Sequence, residues 1–109
     1  VAAETYVERI RALDDAGPVL NSVIVYNPDA AIVAATMADR PLAGRTVLVK
    51  DNVETAEWPT TAGSLALADN ATGRDAPMIA ALRRNGGVVL GKTNLSEWAN
   101  IRADNSTSG

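Results

Sequence analysis

The sequence predicts an α/β fold built in layers, and three observations predict it. Helical and strand-like segments alternate along 109 residues in the order α-β-α-β-loop-α-β-α. The run Thr46-Val47-Leu48-Val49-Lys50 is apolar until its last residue, with Val47 and Val49 on one face and Leu48 and Lys50 on the other. Apolar side chains on both faces suggest a strand covered by helices on both sides. A second unit repeats the step from helix to strand: an amphipathic segment stopped by Gly86-Gly87 leads into Val88-Val89-Leu90.

Each element has a local reason. Thr5 to Asp15 sets Tyr6, Ile10 and Leu13 at helical spacing, and Gly17-Pro18 ends that helix. Val19 to Tyr26 is rich in β-branched residues and reads as a strand, closed by Asn27-Pro28-Asp29. Asp29 stands where it can cap an Ala-rich helix running to about Asp39. Arg40 to Arg45 is a turn into the Thr46–Lys50 strand, and Asp51 to Thr72 is loop-like. Asp75 is a candidate N-cap for a helix with Pro77 in its first turn and Met78, Ile79 and Leu82 as its apolar stripe. After the strand Val88–Leu90, Gly91 to Asn94 reads as a loop, and Ser96 as the cap of a short final helix holding Trp98. Residues 103–109 are polar and turn-like.

Composition narrows the function. Apolar residues make up 47% and charged residues 21%, enough for a core. The net charge is -3, and Lys50 and Lys92 are the only lysines beside eight scattered arginines, so no basic stripe exists to meet a phosphate backbone. No apolar run reaches the roughly 18 residues a membrane helix needs. The chain has no cysteine and no histidine, which excludes disulfides, thiol nucleophiles and Ser-His-Asp catalysis. Only carboxylates are left as strong metal ligands. No charged segment followed by an apolar one opens the chain, as a signal peptide would. A mature secreted chain would look the same, so both a cytoplasmic and a secreted setting stay open.

Two motifs are false friends. Gly86-x-x-x-x-Gly91-Lys92-Thr93 matches the written pattern of a phosphate-binding loop. That motif needs a strand before the first glycine and a helix after the Lys-Thr. Here a helix precedes it and a strand lies between the glycines, so the amides bond to neighbouring strands. Val47-Leu48-Val49-Lys50 has the look of a kinase strand lysine, but Pro41 to Arg45 offers one glycine where a kinase has a glycine-rich loop.

Lys50 is the residue with chemistry to offer. A lysine ending an apolar strand is ordinarily a solvated strand end. Drawn into apolar surroundings, however, a lysine loses hydration and favours its neutral form, which can act as a general base. Asp51 opposes this unless it points elsewhere, and successive strand residues do face opposite ways.

Taken together the motifs resemble a known family. Pro41-Leu42-Ala43-Gly44-Arg45-Thr46-Val47-Leu48-Val49-Lys50-Asp51-Asn52 resembles the amidase signature family's strand ending in Lys-Asp-Asn, with Thr46 where the family usually has proline. Thr61-Ala62-Gly63-Ser64 is similar to the family's next segment, and Gly86 to Asn100 to its cleft-lining strand and loop. Ser96-Glu97-Trp98-Ala99-Asn100 and the tail Asn105 to Gly109 resemble the peptide amidase branch.

The resemblance implies the N-terminal part of a layered α/β/α fold with a mixed central sheet. Residues 1–40 would form a helical lead-in with one strand, and residues 41–109 the start of the catalytic core. It implies a Ser-cisSer-Lys mechanism with Lys50 as the base, no cofactor and no metal. Trp98, Ala99 and Asn100 would line the substrate cleft, although plain core packing explains Trp98 equally well. The family carries its two serines in a Gly/Ser-rich stretch further along than Gly109, so Ser106 and Ser108 match the segment before it. The expected partners are therefore a small-molecule or peptide amide substrate and the remainder of the amidase chain, and the 109 residues alone are expected to be inactive. The competing expectation is a non-catalytic truncated homologue that folds or pairs as an interaction module.

Overall fold

A computed structural model describes residues 3–100, in which three strands and three helices alternate. Helix α1 (Ala3–Arg9) continues into a wider π-helical turn, Ile10–Asp14, closed by the Asp15 N–H donating to the Ile10 carbonyl. Strand β1 is Val23–Tyr26, helix α2 Ala30–Ala35 and strand β2 Thr46–Lys50. After a long loop come helix α3 (Pro77–Arg84) and strand β3 (Val88–Thr93), then a short helical turn at Glu97–Asn100. The alternation read from the sequence is the one observed.

The strands form one mixed sheet in the order β1-β3-β2, with β3 antiparallel to β1 and parallel to β2. β3 is the central strand, and alternation sorts its side chains into two cores. Val88 and Leu90 join Ala3, Val7, Ile10 and Ala30 under α1 and α2, while Val89 joins Val49 and Ile79 under α3. A strand buried on both faces thus exists, but it is β3 rather than β2. On β2 only the Val47–Val49 face is covered; Leu48 is 42% exposed and Lys50 lies at the surface. Both outer strands keep one edge unpaired among the described residues, an arrangement prone to further strand pairing.

Several boundaries differ from the sequence reading, each for a local cause. Residues 19–22 are not strand, because Val19 and Asn21 sit in the left-handed region with φ of 53°. Asp14 organises that bend. Its carboxylate accepts the N–H groups of Ser22 (2.8 Å) and Val23 (2.9 Å) as well as the Ser22 hydroxyl. Helix α2 ends at Ala35, and Asp29 makes no side-chain cap; Asn27 Oδ1 accepts the Asp29 N–H instead. Asp75 likewise leaves the cap position of α3 to Ala76 and accepts the Ala56 N–H at 2.8 Å, tying the loop to the helix start. Met78 points outward, leaving Ile79 and Leu82 to pack.

Strand β3 also runs three residues further than Leu90, through Gly91, Lys92 and Thr93. Gly91 is there because β1 crosses close by: a Cβ would stand 2.2 Å from the Val25 carbonyl oxygen. The second glycine of the apparent phosphate loop is therefore a packing glycine inside a strand. Gly86, with φ of 89°, ends α3 as its position suggested.

Asp14 gives the fold a pH dependence. Burial pushes its carboxyl up, but the Ser22 hydroxyl and the two backbone N–H donors outweigh that, and the net shift is downward from 3.8. A depressed carboxyl stabilises the fold fully above its unfolded value and loses that contribution as the pH falls through the folded one. Asp14→Ala is thus expected to lower stability at neutral pH and to flatten the acid limb of a stability profile below about pH 4. Equal acid sensitivity of parent and variant would show that Asp14 does not carry it.

Candidate active site

The side chains with chemistry gather where β2 and β3 end. These strands are parallel, so their C-terminal ends coincide, the place where open α/β sheets present ligand-binding groups. Val49 pairs with Lys92 and Lys50 with Thr93, and the Asp51 N–H extends the ladder to the Thr93 carbonyl at 3.1 Å.

A bulge decides where Lys92 points. Val47 pairs with Val89, but Leu48 pairs with Gly91, so Leu90 has no counterpart on β2. An extra residue reverses the alternation beyond it. Lys92 therefore shares the face of Val49 and Val89 instead of that of Val88 and Leu90. Asp51 lies two residues beyond Val49 and falls on the same face. The two meet, with Lys92 Nζ 2.8 Å from Asp51 Oδ1 and both side chains wholly inaccessible.

Two threonines complete the cluster. The loop after Asp51 doubles back, its Ala62 N–H donating to the Asp51 carbonyl at 2.9 Å. Thr61 donates its hydroxyl (2.5 Å) and backbone N–H (3.3 Å) to Asp51 Oδ2, while Lys92 Nζ donates to Thr60 Oγ1 at 3.1 Å. Lys92 meets Oδ1 as an ion pair. A buried ion pair offsets its desolvation cost only when the remaining polar atoms also find partners, and the threonines supply most of these.

Lys50 lies on the opposite face, exposed, and among the described residues its ammonium forms no ion pair or hydrogen bond. Asp51 does point away from it, as strand alternation suggested. The desolvated setting considered for Lys50 is absent: residues 3–100 do not cover it. Trp98 and Ala99 line a cavity of about 360 Å³ together with Asn52, Thr60, Ala62 and Asn70. Trp98 is 50% exposed, so core packing does not account for it. It and Ala99 adopt left-handed backbone angles, with the Trp98 N–H held by the Ala62 carbonyl at 2.8 Å. At the rim of the same cavity, Arg74 and the Thr72 hydroxyl hold the Glu54 carboxyl below its usual range. The backbone of Asn100 belongs to the final turn; its side chain and the tail with Ser106 and Ser108 lie outside the described residues. No group of three or more carboxylates able to hold a metal exists among the described residues.

A family model described as Amidase matches residues 2–109. The chain belongs to the amidase signature family. Its mixed sheet and helices match the N-terminal part of amidase structures. The peptide amidase of Stenotrophomonas maltophilia superposes with a TM-score of 0.83 at 45% identity, covering 97% of this chain and 24% of that one. An amidase family protein of Bacillus anthracis gives 0.84 at 38% identity, over 100% of this chain and 24% of that one. A probable amidase of Arabidopsis thaliana is 42% identical over 112 residues, 92% of this chain and 21% of that protein. The chain spans about a fifth of the length of the curated amidase relatives it matches, 21%, 19% and 17% in three cases.

Proposed function

We propose that this chain is the lysine-bearing N-terminal segment of an amidase that hydrolyses carboxamides, with peptide C-terminal amides as the substrate class. The observation that carries the proposal is the fate of Asp51. Lys50 ends β2 at the sheet's C-terminal edge with no carboxylate taken up by its ammonium, because the adjacent one is buried against Lys92. A lysine left free in this way is suited to give up its proton once surrounding protein strips its water.

In the mechanism so assigned, neutral Lys50 takes the proton of a bridging serine. That serine takes the proton of a second serine as its oxygen attacks the amide carbonyl. The tetrahedral intermediate collapses, the C–N bond breaks, and the proton returns to nitrogen as ammonia leaves. Water then enters by the same relay and releases the carboxylate. Both serines come from sequence following Gly109, as does the cover over Lys50. Trp98 and Ala99 form one wall of the cleft, Asn100 is assigned to the same wall from the sequence alone, and Trp98 gives an acyl or peptide group a flat apolar surface. Peptide amides are favoured by the Ser96–Asn100 segment and by the likeness to a peptide amidase. The relay uses side chains alone and needs no metal or cofactor.

Ammonia release from an acetylated dipeptide amide tests the proposal. The full-length protein carrying this segment is expected to release ammonia, and residues 1–109 alone to remain at the buffer rate. Hydrolysis by residues 1–109 that Lys50→Ala abolishes would place the nucleophile within this chain. A full-length protein inactive on every carboxamide offered would remove the amidase reading.

A further inference from the structure

We propose that Lys92 is a positioning residue for the reaction: it takes up the charge of Asp51 on the face of the sheet opposite Lys50, so that the carboxylate anchors the Thr60–Gly63 loop and leaves Lys50 unpaired. The proposal rests on the reading of Lys50 as the base and adds a residue that touches neither substrate nor nucleophile.

Three observations converge on it. Asp51 follows Lys50 directly, and a carboxylate there that lacked a cation would hold the Lys50 ammonium in its protonated form. The bulge at Leu90 turns Lys92 out of the α1–α2 core and onto the Asp51 side, where both charges are fully buried. Asp51 then spends its other oxygen and its carbonyl on the loop, through Thr61 and Ala62, and Ala62 in turn holds the backbone of Trp98. Strand end, loop and cavity wall are thereby one bonded unit.

No other described ionisable group bonds to the pair. On α3 and the loop, Arg83 is taken by Glu57 (2.7 Å) and Asp75 (3.0 Å), and Arg74 by Glu54 (2.7 Å). Glu97, on the turn after β3, approaches Gly63 through its backbone. On the α1 side Asp14 is engaged by Ser22 and Val23.

The test is the pH dependence of kcat for dipeptide-amide hydrolysis by the full-length enzyme and three variants. Lys92→Met strands the Asp51 charge beside Lys50, and the acid limb is expected to move up by about one pH unit with KM little changed. Asp51→Asn strands the Lys92 charge instead, and the limb is expected to move down. Lys92→Met combined with Asp51→Asn removes both charges and is expected to bring the limb back to the parent position. Should Lys92→Met fail to fold, Asp51→Asn and the double variant decide. A limb that stays fixed in every folded variant, with activity following the folded fraction, would reduce the pair to a structural brace and overturn the proposal. Lys50→Ala run in parallel separates the two readings. If it keeps activity, the assignment of the base fails; if it is inactive while the limbs stay fixed, only the role of Lys92 fails.

Discussion

Lys50→Ala is expected to lower carboxamide hydrolysis by the full-length enzyme by about 10⁴-fold or more, the usual consequence of removing one member of a catalytic unit. That factor is about 5.5 kcal/mol of transition-state stabilisation. Rates are compared per folded enzyme, because the proposed cover over Lys50 also ties this side chain to the stability of the full-length protein. Lys50→Arg is the sharper control. A guanidinium keeps its charge but cannot give up its proton, so this variant should be as inactive as the alanine one. Substantial activity in Lys50→Arg would mean that position 50 supplies charge, and that another group takes the proton.

The second large effect is on stability. Lys92→Met leaves Asp51 buried and charged with Thr61 as its main partner, and removing one member of a buried pair typically costs about 3–5 kcal/mol. Adding Asp51→Asn withdraws the stranded charge while the amide oxygen still accepts from Thr61, so the double variant should recover most of the loss. Chemical denaturation of the four proteins yields the coupling directly. A single Lys92→Met variant within about 1 kcal/mol of the parent would show that water or rearrangement compensates Asp51, and that the pair is weaker than its burial implies.

Much of the fold could be read from the sequence because its signals are local. The apolar run Thr46–Lys50, the Gly86-Gly87 stop and the alternation of elements all survive in the structure. What was hidden depends on contacts far apart in sequence. Asp29 and Asp75 carry the side chains of N-caps, yet Asn27 and the Ala56 N–H compete at those sites. Nothing near Val19 announces the left-handed backbone at Val19 and Asn21, just before the residues that Asp14 holds. Lys92 is the most instructive miss. A Gly-Lys-Thr-Asn string looks like a loop, and only the β2–β3 register shows it to be buried strand. One signal was available: Asp51 had to point away from Lys50, and in a chain with two lysines the other one was the natural lysine to meet it. The assignment proposed for Lys50 rests on the pattern around it, since a lysine at a strand end has no distinguishing mark of its own.

The central claim, that these residues are the lysine-bearing part of a longer amidase, is tested most directly by the intact mass of the native protein together with the sequence of its C-terminal peptides. The expected result is a mass several times that of 109 residues, with a Gly/Ser-rich peptide following Gly109. A native mass equal to that of the 109 residues would contradict the claim and leave a family member that lacks its nucleophile.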